Sequence, residues 1–137
     1  MDGAEYPFRL VSRRLKHVLN SLGTELPGLA AKGTTNPAYM NPDDMKDNGL
    51  SDGDVIEITS PRASVHGVVE SAPDVRRGVL SMAHSWGGSS LTDEKVRDIG
   101  APTSRLVSVD QGYDRVTGMV VQSAIPVKIR MFEAARR

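Results

Sequence analysis

Residues 41–60, Asn-Pro-Asp-Asp-Met-Lys-Asp-Asn-Gly-Leu-Ser-Asp-Gly-Asp-Val-Ile-Glu-Ile-Thr-Ser, read as a capped helical turn, a tight turn and a strand, in that order. Asn41 can accept a backbone N–H bond as N-cap, and Pro42 at the first helical position loses nothing by lacking its own N–H. Asp43 and Asp44 complement the helix dipole and make a poor catalytic carboxylate pair. Gly49 supplies the left-handed residue that ends the helix. Ser51 to Asp54 form a turn, after which Val55, Ile56 and Ile58 open a strand running to Thr59.

Outward from this core, Ala38-Tyr39-Met40 is a short strand leading into the helix, and Ser60-Pro61 is a tight connection to a further strand over Arg62 to Ser71. In that strand Val65, Gly67 and Val69 share one face. Pro73 to Gly78 connects to a buried strand, Val79 to Ala83. Upstream, Phe8 to Ser12 alternates as a strand entered through Pro7. Leu15, Val18, Leu19 and Leu22 fall at helical spacing, so a short helix or helical loop is predicted over Arg13 to Ser21. Residues 23–35 are loop by composition. Downstream, residues 84–104 are polar and glycine-rich, weakly helical around Asp93 to Arg97. Leu106 to Val109 is predicted as a strand, Asp110 to Gly118 as a loop, and Ile125 to Met131 as the closing strand. Six or so short strands with small helices between them favour a closed, mainly β barrel over a sandwich or a doubly wound parallel sheet.

A chain of 137 residues fits one domain, 1–137, able to bury roughly two-thirds of its unfolded surface. There is no cysteine, which excludes disulfides, thiolate metal sites, iron–sulfur ligation and cysteine nucleophiles from this polypeptide. Seventeen basic residues balance seventeen acidic ones, so charge gives no case for a nucleic-acid partner. No apolar run approaches the roughly 20 residues of a membrane span. The acidic start, Met-Asp-Gly-Ala-Glu, has no signal-peptide core and leads almost directly into a strand, as an excised domain would. His17, His66 and His84 match no common metal-ligand spacing. No P-loop, GxGxxG or Ser/His/Asp order occurs.

Two segments could carry ligand chemistry. Ser12-Arg13-Arg14 and the following His17, Asn20 and Ser21 gather donors where a strand gives way to the predicted helix, a place where unpaired N–H groups and guanidinium forks accept anions. The same residues also fit a solvated helix with a basic face. His84-Ser85-Trp86-Gly87-Gly88 follows a buried strand and holds the single tryptophan. Its indole offers a flat stacking face beside glycines that admit a ligand, or else plugs the barrel end.

The segment Asn41 to Val55 resembles the signature of the C-terminal dinucleotide-binding domain of molybdopterin oxidoreductases, the superfamily of dimethyl sulfoxide reductase, formate dehydrogenase and periplasmic nitrate reductase. Four landmarks follow in the family's order over Phe8 to Arg130. Arg13, His17, Asn20 and Ser21 match the first cofactor loop, and His84-Ser85-Trp86-Gly87 resembles the motif after the fifth strand. Pro102 to Val107 is similar to a cofactor-contacting segment in which Ser104 stands where the family has asparagine. Tyr113 to Gly118 and Pro126 to Ile129 fit the closing turn and strand. A hydroxyl offers one donor where an amide offers two, so Ser104 implies a weaker or water-mediated contact.

The resemblance implies a closed six-stranded double-psi β-barrel that binds and orients molybdopterin guanine dinucleotide (the bis-MGD cofactor) carrying molybdenum or tungsten. The implied cofactor-binding residues are Ser12, Arg13, Arg14, His17, Asn20, Ser21, His84, Ser85, Trp86 and Ser104, with no catalytic or metal-ligating residue. The implied partners are the remaining domains of a parent oxidoreductase and an iron–sulfur electron-transfer subunit. A cytoplasmic location is expected, with the periplasm as the alternative for the parent, and an isolated domain should be inactive. Two rivals stand beside it. A protein-recognition barrel without cofactor, like the N-terminal domains of AAA ATPases, accounts for Gly49 to Val55 but not for His84 to Gly88. A self-processing barrel resembling aspartate decarboxylase would use Gly88-Ser89.

Overall fold

In a computed structural model, residues 3–23, 26–30, 33, 35–87 and 95–135 are described. Alternating side chains build six strands: β1 (Phe8–Arg13), β2 (Ala38–Met40), β3 (Val55–Thr59), β4 (Ser64–Ser71), β5 (Val79–Ala83) and β6 (Ile125–Glu133). Along β1 the buried positions are Phe8 and Leu10; along β4 they are Val65, Gly67 and Val69, the face expected from their spacing of two. These faces meet Ile56, Ile58, Leu80, Met82 and Val127, all fully buried, in one core. The strands close in the order β1-β5-β2-β4-β3-β6 and back to β1. The closed, mainly β, six-stranded barrel implied by the resemblance is therefore what forms.

The pairing directions decide where every connection goes. β1 runs parallel to β5 and β2 parallel to β4, while the other four pairings are antiparallel. Odd-numbered strands thus point one way along the barrel and even-numbered strands the other. The near pole receives the ends of β1, β3 and β5 and the beginnings of β2, β4 and β6. It therefore carries the connections 14–37, 60–63 and 84–124. The far pole carries 41–54 and 72–78.

The segment that decides the fold builds the far pole. Helix α2 (Pro42–Asp47) starts where expected, with Asn41 Oδ1 accepting the Asp43 N–H at 2.9 Å and the Asn41 amide donating to Val75 O. Gly49 has φ 65°, the left-handed exit predicted for it. Asp54 is buried, and its two oxygens accept the Ser51 and Ala135 N–H groups, each at 2.7 Å. Asp44 accepts from Gly78 N at 2.6 Å and from Arg77 Nε at 2.9 Å, which ties α2 to the β4–β5 connection.

Three expectations change. No helix follows β1. Leu19 and Leu22 instead exchange backbone bonds of 2.9 and 3.2 Å around a two-residue turn, with Asn20 at φ 53°. The leucine spacing has no core to face, and both leucines lie about two-thirds exposed at 64% and 66%. Within residues 23–35, α1 (Pro27–Ala30) forms one helical turn. The strand predicted over Leu106 to Val109 is absent. A 3-10 turn at Thr103–Leu106 buries Leu106 and leaves Val109 exposed, because a closed barrel has no free edge to pair. The helical tendency near Asp93 to Arg97 appears as α3 (Val96–Ile99), while residues 93 and 94 lie outside the described residues, as do Gly88 and Ser89.

Candidate functional site

Strand parity sorts the residues at the end of β1. Ser12 continues the inward face of Phe8 and Leu10, and its N–H donates to Ser123 Oγ at 3.3 Å. Arg13, one position on, faces the other way. Its guanidinium carbon lies 4.2 Å from the centre of the Tyr39 ring, and Nη1 donates to Ser81 O and Oγ at 2.9 and 3.2 Å. Partial burial pushes the Arg13 pKa down, offset by the nearby Tyr39 and Glu70, and the group remains a cation. Arg14 returns to the near pole, exposed at the mouth of a cleft.

That cleft has a volume of about 680 Å³, the size of an ordinary ligand site. Ser12 and Arg14 form one side, and His84 and Ser85 come from the chain leaving β5. Thr103 and Ser104 project from the 3-10 turn, Gln122 and Ser123 from the approach to β6, and Val107 and Val109 supply the apolar part. Eight of these ten lining residues are polar and one of them, Arg14, is charged. Hydroxyls, an amide and one guanidinium can hold an oxygen-rich anion, although carbon makes up the larger share of the cleft surface.

The turn after β5 is held at several points. His84 N–H extends the ladder to Arg13 O at 3.2 Å. The same carbonyl lies 3.0 Å from His84 Nδ1. A carbonyl accepts, so Nδ1 carries the hydrogen, and the Asn20 side-chain amide, 3.4 Å from Nε2, can donate to it only through its nitrogen. Ser85 adopts φ 76°, a left-handed backbone that non-glycine residues avoid and that occurs mostly where a site dictates it. A Cβ on Gly87 would lie 2.6 Å from Pro102 Cδ, so the two loops meet in direct contact.

Five of the ten residues expected to hold cofactor therefore meet in one cleft: Ser12, Arg14, His84, Ser85 and Ser104. Asn20 joins at the rim through His84, and Ser21 is exposed beside it. Arg13 faces Tyr39, and Trp86 is buried below the turn. Trp86 Nε1 and His17 Nε2 are buried ring nitrogens with no hydrogen-bond partner among the described residues. An unpaired buried polar atom costs on the order of 1–3 kcal/mol, and neither ring lines the cleft. Sequence reasoning missed Thr103, Gln122 and Ser123. The last two had a signal in being polar residues directly before an alternating strand, placed by the antiparallel β1–β6 pairing beside Ser12.

Nothing in the cleft pairs an acid with a base, and among the described residues no three His, Asp or Glu side chains gather to hold a metal ion. What the cleft offers is a set of hydrogen-bond donors and acceptors.

Comparison with known proteins agrees. Residues 8–120 match the family model described as "Molydopterin dinucleotide binding domain". The chain is 24% identical over 147 aligned positions to a dimethyl sulfoxide/trimethylamine N-oxide reductase from Cereibacter sphaeroides, which covers 98% of this chain and 18% of the reductase. Its fold matches acetylene hydratase from Pelobacter acetylenicus with a TM-score of 0.77 at 17% identity, over 95% of this chain and 19% of the hydratase. The chain thus spans about a fifth of the length of these relatives.

Proposed function

This chain belongs to the family of molybdopterin dinucleotide-binding domains, and we propose that its near-pole cleft holds and orients the dinucleotide end of the cofactor inside a larger molybdenum or tungsten oxidoreductase. The observation that supports this reading best is convergence. Four separate chain segments bring hydroxyls, an amide and a guanidinium to one cleft of about 680 Å³. The donor set fits the group. Arg14 would carry the negative charge of the diphosphate with bidentate bonds. Ser12, Ser85, Ser104 and Ser123 would bond ribose and phosphate oxygens, and Gln122 offers both a donor and an acceptor for a guanine edge.

When bound, the cofactor supplies the metal-centred chemistry, while the protein contributes binding, orientation and exclusion of water. With no cysteine, this chain offers no thiolate to the metal. An iron–sulfur electron-transfer subunit is the partner we assign to that parent.

Calorimetric titration of the chain with guanosine 5′-diphosphate tests the reading. Saturable binding that Arg14→Ala weakens roughly 10- to 100-fold is expected, the range for losing a charge-assisted bond. Absence of nucleotide binding together with saturable binding of peptides would instead support the recognition-module reading.

A further inference from the structure

Asn36 lies at the start of β2, outside the cleft, and is 2% exposed. Its amide is used on both sides. Nδ2 donates to Ala83 O at 2.7 Å and to Ala101 O at 2.8 Å, while Oδ1 accepts the Ala101 N–H at 2.7 Å. The partners fix the amide's orientation, since two are carbonyls and one is an N–H. Ala83 immediately precedes His84 and Ser85, and Ala101 stands two residues before Thr103 and Ser104. The four residues so anchored line the cleft from two separate segments.

The surrounding chain is shaped to admit this side chain. A Cβ on Gly100 would sit 2.2 Å from Asn36 Oδ1 and 3.1 Å from its backbone nitrogen, so only glycine lets residues 99–101 approach. Gly87 N–H donates to Ile99 O at 3.0 Å, a second tie between the same two segments. Without the amide, two buried carbonyls and one buried N–H would lose their partners together.

We propose that Asn36 is a positioning residue that sets the spacing of the two cleft walls, His84–Ser85 and Thr103–Ser104, and so the fit of the bound nucleotide. The inference rests on the reading of the cleft as the ligand site. Its geometric content can be measured without a ligand.

The test compares amide hydrogen exchange in the chain, in Asn36→Asp, in Asn36→Ala and in Asp54→Asn, which weakens a buried polar clasp at the far pole. Asn36→Asp keeps the volume and sets an oxygen against two carbonyls, so it separates hydrogen bonding from packing. The expected result is exchange faster by roughly 10- to 100-fold in both 84–87 and 101–106 for either Asn36 variant, with β3 and β6 unchanged. Asp54→Asn should leave both walls protected. Uniform loss across the barrel, loosening of one wall only, or unchanged walls would each overturn the proposal. A guanosine 5′-diphosphate titration of the same proteins separates the two readings. Loosened walls with weakened binding support both. Loosened walls in a chain whose unsubstituted form binds no nucleotide keep the positioning role and remove the cofactor assignment.

Discussion

Two adjacent arginines have different work, and one residue of strand register separates them. Arg13 lies over Tyr39 and bonds Ser81, so Arg13→Ala should lower unfolding free energy by about 1–2 kcal/mol in a urea melt. Arg14 lies exposed at the cleft mouth, and Arg14→Ala should leave stability within about 0.5 kcal/mol. A pair of equal melting midpoints would contradict this division. Asp114 gives a pH signature. Bonds from the Thr117 N–H, the Thr117 hydroxyl and the Val116 N–H hold its pKa below the ordinary carboxylate value. A depressed carboxylate pKa means the turn's stabilisation is complete above about pH 3.9 and fades as pH falls through the lower folded value. The Val116 and Thr117 amide resonances should therefore hold steady from neutral pH down to about 4 and move below it.

Among elements, those specified by local chemistry could be read from sequence. Asn41, Pro42 and Gly49 encode the start and end of α2 by capping alone, and Val65, Gly67 and Val69 encode the inner face of β4 by alternation alone. Asn41→Ala should cost about 1 kcal/mol through the lost cap. Asp44→Ala should cost more, about 1–3 kcal/mol, because the Gly78 N–H loses its acceptor under a largely buried side chain. Chemical denaturation of both variants checks the order. The two misread segments depended on what lies across from them. Leu15 to Leu22 have helical spacing, but Leu19 and Leu22 find no apolar surface to cover, and Leu106 to Val109 have strand residues but no open sheet edge. Such facts belong to the assembled barrel and leave no mark on a local window. The site was half visible for the same reason. Ser12, His84 and Ser104 sit in motifs, whereas Gln122 and Ser123 matter only because β6 lies antiparallel to β1.

For the molecule as a whole, alternating strand directions divide the two ends by task. The far pole spends its polar groups on itself: Asp44 holds Gly78, Asp52 accepts from Ser71, and Asp54 holds Ser51 and Ala135. The near pole leaves hydroxyls, an amide and a guanidinium lining an open cleft. The stretch that reveals the fold, Asn41 to Ser60, is thus mostly remote from the chemistry the fold serves. No helix among the described residues is long and apolar enough to cross a membrane. The most direct measurement is a diffraction structure of the enzyme containing this chain with its molybdopterin dinucleotide bound. Nucleotide density against Ser12, Arg14 and Ser104 is the predicted result, and density seated against Ser51 to Asp54 would contradict the account.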